Sequence, residues 1–204
     1  MSKLLYDIGA TYAKPEFYSI EMEPSKEKTY LIGCIERQVR NQKSFKDYFK
    51  LLKTQDSFSK CVMSGSDHKL ELHHYPFTLY DIVETVLNSC LNSGFTTFQI
   101  SYMVIHLHFK LHIGLIPLSS LYHDMYHAGT LKLDPRLIRG NYVEFITQYS
   151  KFMSIPQLER IRDMDILPDN EIKKMLNVLK PRMVINRKAN LAKLYQTSPL
   201  HNDV

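Results

Sequence analysis

Cysteine is scarce in this 204-residue chain: Cys34, Cys61 and Cys90 are the only three, an odd number with no C-x-x-C spacing. That excludes a disulfide framework and a four-cysteine zinc site, and leaves each thiol the role of a small buried hydrophobe in a reducing compartment. No apolar run approaches the ~18 residues that a membrane-spanning helix needs, so no membrane partner is expected. The first residues carry no charged-then-apolar leader pattern, and the expected location is cytoplasmic. Internal repeats and low-complexity tracts are also missing. Charge is not extreme: a formal +5 and a pI near 9.0 permit a polyanionic partner without demanding one. With 44% hydrophobic and 23% charged residues the composition is that of an ordinary globular protein, and the length suits one domain, or one domain with appended helices.

Histidine is what the chain concentrates. Eight of its nine histidines lie between His68 and His127. Lys69 to His74 reads as a short strand stopped by Pro76, after a turn over Cys61 to Gly65. His112 to Leu118 reads as a second strand, broken at Pro117. Ser119 or Ser120 then caps a helix through Tyr126 that Gly129 closes. Between the strands, Leu79, Ile82, Val83, Val86, Leu87 and Leu91 recur at helical spacing and predict an amphipathic helix ended by Ser93-Gly94. Ile100, Met103, Val104 and Leu107 suit a second helix, or a strand.

Residues 1–29, with Pro15 and Pro24, read as an irregular N-terminal arm. Leu31, Cys34, Ile35 and Val39, then Phe45, Tyr48, Phe49 and Leu52, predict two helices from about Tyr30, the second capped by Ser44. Their opposite face carries Arg37, Arg40, Lys43, Lys46, Lys50 and Lys53, either a solvated helix face or a phosphate-contacting one. Asn141-x-x-Glu144 has the form of a capping box before the stripe Tyr142, Phe145, Ile146, Tyr149, Phe152 and Met153. Ile172, Met175, Leu176 and Leu179 mark one more helix. The C-terminal extension, 154–204, includes a basic segment with Lys180, Arg182, Arg187, Lys188 and Lys193.

Two elements of this pattern bear on chemistry. His123 and His127, four apart on a helix, lie on one face and can share a metal ion. His73 and His74, adjacent on a strand, point to opposite faces, so only one can join that pair unless the chain bends. One strand imidazole plus the helical pair gives three neutral ligands with coordination positions left open, the mark of a catalytic site. The remaining strand histidine is suited to take a proton from water near neutral pH. For His106, His108 and His112 a packed or partly exposed ring is the expectation, and Asp81 and Glu84 are expected to be solvated acids.

The segments Cys61-x3-Gly65, Leu70-Glu71-Leu72-His73-His74 and Gly114-Leu115-Ile116-Pro117-Leu118-Ser119-x3-His123-x3-His127 resemble the HNH, or ββα-metal, endonuclease motif. The run from His73 to Val83 is similar to a group of phage-encoded HNH-like proteins. The resemblance covers roughly residues 30–153, with a helical insertion at about 78–110. It implies a predominantly helical α+β fold built on a ββα-metal core with flanking helices. It further implies that His73, His123 and His127 are metal ligands and that His74 is the general base. The ion would be one divalent metal, zinc or nickel on ligand softness, magnesium or manganese by family habit. DNA is the expected partner, contacted through Arg37, Arg40, Lys43, Lys46, Lys50, Lys180, Arg182, Arg187 and Lys188, and a phage origin would place the protein in the host cytoplasm.

This chain departs from that family at two places. The family's central asparagine, which braces the base, falls on Gly114, which has no side chain; His112, His108, Asn88 or Asn92 are left as replacements. Ser119 and Tyr122 stand where many members have zinc-binding cysteines. The leading expectation is therefore a metal-dependent HNH-type endonuclease that hydrolyses DNA phosphodiesters. The alternative is a catalytically lapsed module of the same fold that binds DNA or assembles with protein. A third reading is a structural site in which His74 closes the fourth position.

Overall fold

The computed structural model describes residues 24–91 and 95–164. In chain order these form helices α1 (Pro24–Asn41) and α2 (Lys43–Leu52), strand β1 (Leu70–His74), and helices α3 (Leu79–Cys90) and α4 (Thr97–Phe109). Strand β2 (Leu115–Ser119) and helices α5 (Ser120–His127), α6 (Tyr142–Tyr149) and α7 (Ile155–Asp163) follow. The fold is the mostly helical α+β class that the sequence suggests, with a single two-stranded antiparallel sheet among the described residues.

The main core is built by helical stripes meeting edge to edge. Ile32, Ile35 and Val39 of α1 pack with Ile82, Val83 and Val86 of α3 and with Ile100, Val104 and Ile105 of α4. Phe145 and Ile146 of α6 and Leu158 and Ile161 of α7 close the same cluster, so the start of the C-terminal extension shares this core. Each such fully buried side chain contributes about 1.5–3 kcal/mol of transfer free energy. Both helices between the strands begin with a complete capping box, Thr78 with Asp81 and Thr96 with Gln99. These boxes satisfy orphan N–H groups at both helix starts and set where the insertion turns.

The sheet separates two smaller cores. His73 pairs with Ile116 and His74 with Leu115, so alternate residues face opposite ways. Leu72 and Leu115 pack with Leu52 and Phe58 on one face. Ile116 and Leu118 pack with Leu133, Tyr122 and Tyr126 on the other. Pro117 sits inside β2, opposite Leu72, rather than breaking it. Its carbonyl accepts from Val62 N–H, away from β1, so its missing N–H also falls on the outer edge where no ladder bond is lost.

Several local expectations are corrected. Helix α1 starts at Pro24 rather than near Tyr30, since proline is tolerated in a first helical turn. Its inward stripe includes Ile32, with Cys34 only half-buried. The cap of α2 is Gln42, and Ser44 lies within the helix, because a single residue separates α1 from α2. Residues 97–109 settle as helix. Strand β2 starts at Leu115, three residues beyond His112. Asn141 does precede α6, but its side chain makes no cap bond, and Glu144 instead accepts from Gln148 Nε2 at 2.6 Å. The Ser93-Gly94 stop, the helix at Ile172–Leu179 and the basic tail lie outside the described residues.

Candidate functional site

The next-to-last residue of strand β1, His73, points toward α5, where His123 and His127 stand one turn apart. The His73 ring centroid lies 5.1 Å from that of His123 and 5.2 Å from that of His127. One potential ligand atom from each of the three residues falls within 4.8 Å of the other two. The Nε2 atoms of His123 and His127 are 3.2 Å apart. Around a tetrahedral ion with metal–nitrogen bonds near 2.05 Å, ligand nitrogens stand about 3.4 Å apart. The His123–His127 pair already stands near that separation, and the remaining nitrogens, within 4.8 Å of one another, would close by at most about 1.4 Å to meet it.

The surroundings hold the His73 ring in the neutral form that a metal ligand needs. Burial, reinforced by the neighbouring His123 and His127, pushes the His73 imidazole down to about 4, so it is neutral at physiological pH. The ring of Tyr126 packs against it at 4.6 Å. Glu71, two residues earlier on the same strand face, brings its carboxylate to 3.5 Å from His123 Nδ1. Asp124 lies at 3.9 Å from the same nitrogen, and a proton on Nδ1 facing these carboxylates would leave Nε2 bare, the usual way an acid orients a ligand imidazole.

His74 turns to the other strand face, as alternation requires, and lies outside the three-histidine group. Its Nε2 lies 2.9 Å from Nε2 of His108, while Nδ1 of His108 lies 2.7 Å from the Val104 carbonyl oxygen. Phe49 packs 5.9 Å from each of the two rings. Although part of His74 meets the cleft, the packing around its ring, then His108 and Arg40, hold its pKa well below the usual histidine range. The fully buried His108 is likewise held down, to about 4, by burial. A four-histidine site closed by His74 is therefore not what the geometry assembles.

Gly114 stands where the HNH motif carries an asparagine, and the backbone there leaves no room for a side chain. A Cβ at that position would fall 2.1 Å from the Tyr75 carbonyl oxygen and 2.9 Å from Ile138 Cγ2. The chain passes so closely because the Tyr75 N–H donates to the Gly114 carbonyl at 3.0 Å, extending the β1–β2 pairing past His74.

A cleft of about 670 Å³ lies at this end of the sheet, and His73, His74, His123 and His127 are among its lining residues. Arg40, Lys46, Lys50 and Lys53 line it from α1, α2 and the residue after α2. Lys53 is committed, since its Nζ donates to the Leu70 carbonyl at 2.6 Å. Of the candidate DNA contacts, Arg40, Lys46 and Lys50 reach this cleft. Lys43 pairs with Asp47 and Arg37 with the Gly33 carbonyl; neither is among the cleft-lining residues. Lys180, Arg182, Arg187 and Lys188 fall outside the described residues.

Other sequence readings change role. Asp81 is no solvated acid: it caps α3 and accepts from Arg160 Nη1 at 2.7 Å, while Arg160 also donates to the Pro76 carbonyl at 2.9 Å. Glu84 pairs with Lys28 at 2.7 Å. His106 is exposed and His112 half-buried, as expected of packed or partly exposed rings. His108 is packed, as expected, and of the four candidates for orienting His74 it is the one that contacts that ring. Its signal was its register on α4, on the apolar face one turn beyond Val104.

A family model described as bacteriophage G278-like virion protein matches residues 2–190. No curated protein and no solved structure matches the chain. Among the described residues, no helix is long and apolar enough to cross a membrane.

Proposed function

The chain belongs to the bacteriophage G278-like virion protein family, and on that premise we propose that it is a particle component that grips nucleic acid through a metal-centred cleft. In this reading His73, His123 and His127 hold one divalent ion, and Arg40, Lys46 and Lys50 line the adjoining wall for the phosphate backbone. A bound divalent ion supplies positive charge and Lewis acidity beside a phosphate oxygen. The observation that carries the reading is the convergence of three imidazoles on a cleft that Arg40, Lys46 and Lys50 also line. Membership of a virion family favours this binding role over turnover.

Hydrolysis of the phosphodiester is the second reading, favoured by one observation: a histidine that stays out of the ligand cluster is hydrogen-bonded on a single nitrogen beside it. On that reading His74 takes the proton of the attacking water.

Metal content after dialysis, duplex binding across a salt series and plasmid nicking test both together. The binding reading expects about one ion per chain, lost in His127→Ala, and salt-sensitive DNA affinity without cleavage. Nicking that His74→Ala abolishes while the ion is retained selects hydrolysis. A chain that retains no zinc, nickel or manganese and ignores DNA at 50 mM salt overturns both.

A further inference from the structure

The contact between His74 and His108 sets proton positions as well as ring positions. The Val104 carbonyl can only accept, so the 2.7 Å contact to His108 Nδ1 requires a proton on that nitrogen. His108 is fully buried on the apolar face of α4, its ring at right angles to that of Phe45 with centroids 5.0 Å apart, and among the described residues no acidic group is bonded to it to favour a charged ring. A neutral imidazole protonated at Nδ1 presents a bare Nε2. The His74 Nε2 at 2.9 Å must therefore be the donor, which leaves Nδ1 as the basic atom of a neutral His74.

We infer that His108 is the positioning residue of this site: by accepting the Nε2 proton of His74 it fixes that ring's orientation and leaves Nδ1 as its proton acceptor. Nothing at position 114 can do this, because the backbone there is too close to Tyr75 to admit a side chain. The brace comes instead from the C-terminal turn of α4, inside the segment inserted between the strands. Phe45 and Phe49 wall the pair on the α2 side, so the acceptor is held by packing as well as by Val104. For its catalytic consequence the inference rests on the hydrolytic reading of His74; the hydrogen bond itself does not.

The test uses uniformly 15N-labelled full-length protein. An N–H···N bond between the two rings gives a scalar coupling between the 15N nuclei of His74 Nε2 and His108 Nε2, together with a slowly exchanging His74 Nε2 proton. Both are expected in the wild type and in neither His108→Phe nor His74→Ala. Plasmid nicking by the zinc- or manganese-loaded protein should fall on the order of 10–100-fold in His108→Phe, in kcat rather than KM and with metal content unchanged. His108→Gln, whose amide oxygen can reach the Nε2 position, should restore part of the loss. Absence of the coupling in the wild type overturns the inference whatever the activity, and so does undiminished nicking by His108→Phe. Coupling without any wild-type nicking sinks the hydrolytic reading while the brace stands. If His108→Phe fails to fold, the wild-type coupling and His108→Gln decide the matter.

Discussion

Gly114→Ala is the most demanding test of this geometry, because it depends on backbone positions alone. The added methyl would sit 2.1 Å from the Tyr75 carbonyl oxygen, 2.9 Å from Ile138 Cγ2 and 3.3 Å from Tyr142 Cβ. Contact with the carbonyl is more than about 1 Å inside normal van der Waals distance, and its oxygen belongs to backbone that no rotamer change can move. The segment must open, and the 3.0 Å bond from Tyr75 N–H to Gly114 O opens with it. Losing one backbone hydrogen bond costs about 1 kcal/mol and overpacking of this kind about 1–3. The reduced unfolded-chain entropy of alanine returns about 0.4–1. The expected net destabilisation is about 2–3 kcal/mol, read as a fall in Tm of about 5–10 °C for a domain of this size. Gly33→Ala is the matched control, since it lies inside α1 with nothing within 4 Å of its Cβ. It should stabilise by about 0.5–1 kcal/mol. Urea melts of the two variants beside the wild type make the comparison, and a Gly114→Ala protein within about 0.5 kcal/mol of wild type would refute the close approach.

Other consequences are as specific. With Arg40, Lys46 and Lys50 as the available phosphate contacts, log affinity for duplex DNA should fall against log salt with a slope of about −2.7, roughly 40-fold between 50 and 200 mM, and Lys46→Gln should reduce the slope by about 1. His108 is buried neutral, so its pKa of about 4 makes the unfolded chain the better proton binder below about 6.5; stability should decline as pH falls from 6.5 toward 4, by up to about 3 kcal/mol, and His108→Gln should flatten that part of the profile. Burial alone would raise the Asp81 carboxyl, but Arg160 and Thr78 outweigh it and hold it below the ordinary range; its contribution is therefore present above about pH 4 and lost as pH falls further, and Arg160→Met should weaken that acid dependence and cost about 1–3 kcal/mol in urea unfolding at pH 7.

What was legible in the sequence was periodic or local. The helical spacing of Ile82, Val83 and Val86 and the i, i+4 pairing of His123 with His127 each depend on one element, and both hold. Alternation along β1 also told correctly that His73 and His74 separate to opposite faces. Legibility failed where contacts span distant segments. Arg160 reaches Asp81 and Pro76 from about 80 positions away, and no local pattern announces it. Pro117 misled for a related reason: whether a proline breaks a strand depends on which edge its nitrogen faces, and that is set by the partner strand. Charge spacing on α1 and α2 likewise does not say which cations turn to the cleft: Arg40, Lys46, Lys50 and Lys53 line it, while Arg37 and Lys43 are not among its lining residues.

The inserted segment between the strands ties these observations together. A hairpin with the same pairing would need only a short loop, yet 40 residues lie between His74 and Leu115, and most form α3 and α4. Those helices supply much of the main core, which fixes α4 rigidly against α1, and α1 in turn carries Arg40 to the cleft. The last turn of α4 then delivers His108 to His74 from the side opposite the three-histidine cluster. A small domain whose sheet has only two strands cannot hold side chains on both faces by strand pairing alone. Here α5 orders one face and the insertion orders the other. Loosening the α1–α4 packing, for instance by Val104→Ala, should therefore disturb the His74–His108 bond before it disturbs His123 and His127, and histidine resonances read along a mild urea titration would reveal that order.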